Sequence, residues 1–201
     1  MTEACDVTAA DVLAFWRQAG ADRWYTRDDA FDAEISNRYL DLWRKAAAGE
    51  LSTWEESDGG ALALIIVLDQ FSRTLHHDTA EAFAQDAKAL DLAVDGLHIG
   101  FYDQLATGWE KLFFSLPLSH SERLILHERN LSLGEGLAER APKPLRRIYR
   151  FSAEQVRAHR DIIARFGRHP HRNAVLGRTS TAEERAYLTA GDLVHRRSFK
   201  G

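Results

Sequence analysis

Cysteine is nearly missing from this chain: its 201 residues include one, Cys5, in a polar N-terminal stretch. A lone cysteine excludes an internal disulfide and fits a reducing compartment. Long apolar runs are missing too. The longest, Ala61 to Leu68, is far too short to cross a bilayer, so no membrane partner is expected. The first residues lack a basic region followed by an apolar one, which predicts no secretory signal and a cytoplasmic protein. No run alternates Val, Ile and Thr with polar residues, so no strand is expected. There is no Gly-x-x-x-x-Gly-Lys loop, Gly-x-Gly-x-x-Gly turn, Gly-x-Ser-x-Gly elbow or His-Glu-x-x-His helix, so no cofactor is expected.

What is present is ordinary in bulk and uneven in charge. Apolar residues make up 45% and charged residues 28%, the balance of a soluble globular protein. The length fits one domain, residues 1–201, that buries a sizeable core without staples, with 1–7 and 190–201 peripheral. The net charge of −4 hides an asymmetry: residues 140–201 hold 15 Lys/Arg against 5 Asp/Glu, and residues 1–139 hold 11 against 25. Either the two parts attract each other within one fold, or the basic part offers an anion site. The acidic bulk would repel phosphates, so no nucleic-acid partner is expected.

Helical periodicity covers most of the chain. Thr8 and Asp11 form a capping box before Val12, Phe15 and Trp16. A second helix starts near Asp28 with a stripe of Phe31, Ile35, Tyr39, Leu42 and Trp43, ending at Gly49. Gly60 to Leu75 is apolar on nearly every side in its first two turns, which predicts a central buried helix. Thr79 is positioned to cap a helix carrying Phe83, Ala87, Leu90 and Val94, ending by Gly100. Trp109 to Leu116 reads as a short helix stopped or kinked at Pro117. Ser119 and Glu122 read as a capping box for the next helix. Ser152 and Gln155 restart a helix through Phe166, and Ser180 and Glu183 open the last. About seven to eight helices with short turns predict an all-α domain of antiparallel packed helices and no sheet. No clean repeat register appears near 34 residues.

The candidate functional residues gather in three places. Asp69-Gln70-Phe71-Ser72-Arg73 ends the buried helix. Asp69 and Arg73 are i, i+4 partners, either an intrahelical salt bridge or a pair facing a pocket. His120 and Glu122 offer acid/base groups, or Glu122 caps a helix. The loop from Phe166 to Arg178 packs two His, three Arg and an Asn between glycines. His169 and His171 form a His-x-His pair, but zinc needs a further protein ligand, and no metal site is assigned. The loop reads as a hydrogen-bonded anchor, or as an anion contact through His171, Arg172, Asn173 and Arg178. His159 falls on an apolar stripe and reads as a core histidine. Asn130 reads as a buried polar link.

Several stretches carry a family resemblance: Arg23-Trp-Tyr with Asp29-Ala-Phe-Asp32, Leu68-Asp-Gln-Phe-Ser-Arg73, Ala82-Phe-Ala with Asp86, Pro117-Leu-Ser-His-Ser-Glu122, and His159 through Asn173. Together, from Val12 to Leu188, the chain resembles bacterial domain-of-unknown-function family 924. The resemblance implies an all-helical fold similar to tetratricopeptide-type arrays, with helix pairs stacked side by side. The family carries Pro, Asn and an aromatic where this chain has Ser72, Thr74 and His169. The last difference weakens a metal reading on His169 and favours His171, Arg172 and Asn173.

Two functions compete. A stacked-helix module would hold a protein or peptide partner in a groove fixed by Asp69, Gln70, Arg73, His171, Arg172 and Asn173; this is the favoured reading. A small-molecule site or enzyme would use His120, Glu122 and His171 for acid/base work, with Arg73 and Arg172 clamping a small anionic ligand. That requires groups far apart in sequence to converge. A third reading gives the polar residues a purely structural network.

Overall fold

The computed structural model describes residues 7–26, 28–191 and 193. Cys5 and most of the two expected peripheral tails lie outside the described residues. Ten α-helices are described: α1 Ala9–Trp24, α2 Asp29–Ala48, α3 Asp58–Ile65, α4 Ser72–Leu75, α5 Asp86–Ile99, α6 Phe101–Gln104, α7 Gly108–His120, α8 Leu124–Arg140, α9 Arg146–Phe166 and α10 Ala182–Ala190. Among the described residues there is no strand, as the patterning predicts.

The central buried helix expected over Gly60–Leu75 forms, with a defect at its middle. Between α3 and α4 the backbone stays right-handed helical, but Ile66–Phe71 is a π-turn. π-turns are rare insertions that recur at functional sites. From Gly60 to Phe71 every residue except Gln70 is buried. α1, α5 and α7 pack on α3, while α2 covers the π-turn and α4. Aromatic side chains fill the joint: Phe15 lies 4.9 Å from Tyr39, Tyr39 5.0 Å from Phe71, and Trp16 5.3 Å from Phe113.

Local signals explain the helix starts where a side chain makes the cap. The Thr8–Asp11 capping box forms, and Asp28 accepts from the amides of Ala30 and Phe31. α1 breaks at Gly20, where φ 67° and ψ −179° define a region essentially only glycine enters. The break folds Trp24 back on Trp16, whose carbonyl accepts the Trp24 indole N–H at 2.9 Å.

Elsewhere tertiary packing overrides the local signal. α7 is not stopped at Pro117 but runs through it to His120. The Ser119–Glu122 capping box does not form: Ser119 and His120 finish α7, and α8 starts after Arg123 without a side-chain cap. α9 begins at Arg146, so Ser152 sits inside it and donates to the Ile148 carbonyl. Thr79 precedes a short 3-10 turn, Ala80–Phe83, and α5 starts only at Asp86. The last helix is capped one residue later than expected, by Thr181 with Glu184.

α8 and α9 form an antiparallel hairpin. Glu128 pairs with Arg160 near one end and Glu135 with Arg157 further along. With Arg172–Asp86 and Arg178–Glu122, these pairs join the basic C-terminal part to the acidic N-terminal part. Part of the charge asymmetry is thus paired within the fold.

Candidate functional site

The π-turn aims a carboxylate inward. Asp69 is fully buried, and a buried carboxylate needs partners. Its Oδ1 meets His120 Nδ1 at 2.7 Å and Arg73 Nη1 at 3.0 Å, and its Oδ2 accepts from Gln70 Nε2 at 2.5 Å. Burial alone would raise the Asp69 pKa, but the Arg73 guanidinium and His120 outweigh it and hold the carboxyl well below its usual range. Burial and the nearby Arg73 push His120 below its ordinary value. The pair is therefore a carboxylate with a neutral imidazole whose Nδ1–H is donated to Asp69. Nε2, on the opposite edge of the ring, keeps its lone pair.

A second carboxylate stands beside the first. Asp86, in the first turn of α5, meets Arg73 at 3.0 Å and Arg172 Nη1 at 2.8 Å. Both guanidiniums lie over the Phe83 ring, Arg73 at 5.6 Å and Arg172 at 4.5 Å. Arg172 is 6% exposed. Burial and the neighbouring Arg73 push its pKa down to about 10. Its Nε has no hydrogen-bond acceptor among the described residues.

These groups border a cavity of about 440 Å³, within the range of small-molecule sites. Gln70, Arg73, His120, His171 and Arg172 line it, and Asp69 lies behind His120. Its apolar lining includes Trp24, Phe31, Leu116 and Tyr149. Tyr25 closes one side through a 2.8 Å hydrogen bond between its hydroxyl and Ser152 Oγ, and burial pushes that hydroxyl up to about 12.

Glu122 and Asn173 do not join this group, because they hold the loop that presents His171 and Arg172. Glu122 accepts the His169 amide at 2.8 Å and pairs with Arg178 through both oxygens, at 3.0 and 2.9 Å. Asn173 donates to Glu184, which also takes Arg168 at 2.6 and 2.8 Å. His169 is fully buried. Its ring lies 5.4 Å from His171, 5.6 Å from His159 and 6.0 Å from His127. The Ser121 carbonyl accepts from the rings of both His127 and His169. His159 is half-buried and lines the cavity rather than closing the core. Asn130 is the buried link expected, donating to Ser119 Oγ at 2.7 Å. Among the described residues no group of three or more His, Cys, Asp or Glu is placed to hold a metal ion.

Two parts of the site escape a reading by sequence position. Asp86 stands in a quoted stretch, yet nothing local pairs it with an arginine 86 residues away. Tyr149 lies before the helix start expected at Ser152, and the break at Gly20 folds Trp24 back toward Trp16 and the cavity.

Residues 12–192 match a family described as bacterial protein of unknown function, DUF924. A solved structure of a protein of unknown function from Agrobacterium tumefaciens is similar in fold, with TM-score 0.81 and 37% sequence identity. That similarity covers 91% of this chain and 97% of the other. No curated protein matches. No helix among the described residues is long and apolar enough to cross a membrane. The chain belongs to the DUF924 family.

Proposed function

We propose that this protein binds a small molecule in the cavity beside the π-turn and that His120, oriented by Asp69, exchanges a proton with it. The observation that supports this reading is the 2.7 Å contact between Asp69 Oδ1 and His120 Nδ1 at the cavity wall. A carboxylate that fixes one imidazole nitrogen prepares the other as a base. Arg73 and Arg172 offer donors to an anionic group on the ligand. His120 is bonded to no hydroxyl or thiol of the described residues, so the reading stops at proton transfer and assigns no covalent step. Two measurements test it. Native mass spectrometry of freshly purified protein should find a retained small mass, and ¹⁵N NMR should find the His120 proton on Nδ1 at pH 7. A clean apo mass with the proton on Nε2 would sink the reading.

A protein- or peptide-binding module of tetratricopeptide-like helix pairs is the second reading. The antiparallel α8–α9 hairpin favours it, with Leu124 and Ile125 exposed at the start of α8. It predicts a complex whose sedimentation is altered by Ile125→Asp and untouched by His120→Asn.

A further inference from the structure

The cavity has a direction. Along α7 its lining passes from Leu112 and Phe113, through Leu116, to Ser119 and His120. Seven residues of helix separate Phe113 from His120, a span of about 10 Å. α9 runs the same way. Tyr149 sits against Gly108 at the start of α7, where a Cβ would collide with the Tyr149 ring. At the other end His159 lies 6.4 Å from His120. Antiparallel α8 agrees, with Asn130 bonded to Ser119 and Leu137 seven residues further on. One end of the slot is therefore mainly aromatic, with Arg23, Thr26 and Asp32 also in the lining beside Trp24 and Phe31. The other holds Arg73, Arg172, His120, His159 and His171.

The polar end also has a charge count. Two guanidiniums, Arg73 and Arg172, face two carboxylates, Asp69 and Asp86. That balance leaves no net positive charge, so one added negative charge is disfavoured less than the two of a phosphate monoester. It does leave two buried atoms without a hydrogen bond among the described residues, the donor Arg172 Nε and the acceptor Asp86 Oδ1, the latter 3.0 Å from Arg73 as an ion pair. Two guanidiniums sharing Asp86 over one phenyl ring repel each other, and a single added negative charge relieves that repulsion.

We infer that the occupant is a small monocarboxylic acid with an apolar, ring-sized body, its carboxylate at Arg172 and its body between Phe113 and Tyr149. This rests on reading the cavity as a small-molecule site. The length of the slot admits one ring and a short linker. The head then lies beside His120.

The test is a ligand series on the unaltered protein, followed by tryptophan fluorescence, since Trp16 and Trp24 line the cavity. The probes are phenylacetate, phenylacetamide, phenyl phosphate and acetate. Phenylacetate should bind at least about tenfold more tightly than each of the others, the size of one charge-assisted contact or one buried ring. Arg172→Gln should reduce the preference for phenylacetate over phenylacetamide to less than about twofold, and a preference kept at tenfold overturns the placement of the carboxylate at Arg172. Equal binding of phenylacetamide or phenyl phosphate overturns the carboxylate, and equal binding of acetate overturns the apolar body. In those cases the small-molecule reading stands. If all four are silent and no mass is retained, this inference and that reading fall together.

Discussion

The protein buries two carboxylates, Asp69 and Glu184, in similar company, and they do different work. Asp69 is 0% exposed and Glu184 2%, each held by an arginine, Arg73 or Arg168. The Arg168 hydrogen bonds hold Glu184 down to about 2, and Asp69 is also held below its usual range. The difference lies on the far side. Glu184 spends its oxygens on Arg168, Asn173 and the Thr181 amide, which fasten the His-rich loop to α10. Asp69 spends one on His120, which borders the cavity. A buried ion pair by itself does not mark a site, nor does an unpartnered buried atom. Arg178 Nε and Asn173 Oδ1 also lack partners among the described residues, and neither residue lines the cavity. What sets the Asp69 cluster apart is the conjunction of burial, an oriented imidazole and empty space.

The largest effect that would break this contrast is expected from Asp69→Ala. It leaves Arg73 and His120 facing a hole, and removing one partner of a buried pair costs about 3 to 5 kcal/mol. Urea unfolding should show that loss, and His120 should lose its Nδ1–H preference by ¹⁵N NMR. A loss below 1 kcal/mol would mean that the carboxylate is not the anchor of this cluster.

Glu184→Ala is expected to cost about 2 kcal/mol, from a lost cap partner and lost charge-assisted hydrogen bonds. It should leave the cavity's affinity for phenylacetate unchanged. If affinity falls more than tenfold, the loop fastening and the cavity are one unit and the contrast collapses.

The smallest expected effect concerns acid. Burial pushes His120, His127 and His169 below their ordinary value, so they stay neutral in the fold while the unfolded chain protonates them below pH about 6.5. The unfolded state then binds more protons, and stability falls as pH drops from 6.5. Each histidine contributes a slope of up to about 1.4 kcal/mol per pH unit. Asp69 and Glu184, with lowered values, contribute stability that is present above pH about 4 and lost below it. Below pH about 4 the carboxylate loss adds to the histidine loss, because a histidine held far below its ordinary value is still neutral in the fold there. His169→Phe should flatten the slope by one proton from pH 6.5 downward, including the limb below pH 4. An unchanged slope would show that His169 is not held neutral.

Sequence by itself determined the helices and the core. A 3.6-residue stripe such as Phe31, Ile35, Tyr39, Leu42 and Trp43 has one buried outcome, and the caps at Thr8 and Asp28 close through neighbours within three residues. The run from Ala61 to Leu68 reads as a central buried helix, and its last residues, Ile66 to Leu68, enter the π-turn. Sequence also named five of the cavity's polar residues, Gln70, Arg73, His120, His171 and Arg172, because dense donors on a loop and at a helix end are visible as composition. The tertiary structure alone decided which became partners. The π-turn has no periodic signature. Glu122 forsook its capping box for Arg178 and the His169 amide, and Asp86 met Arg172 across 86 residues. Those choices are long-range electrostatics under burial: a desolvated charge takes the partner that packing brings within about 3 Å, and packing distance is not written in sequence distance.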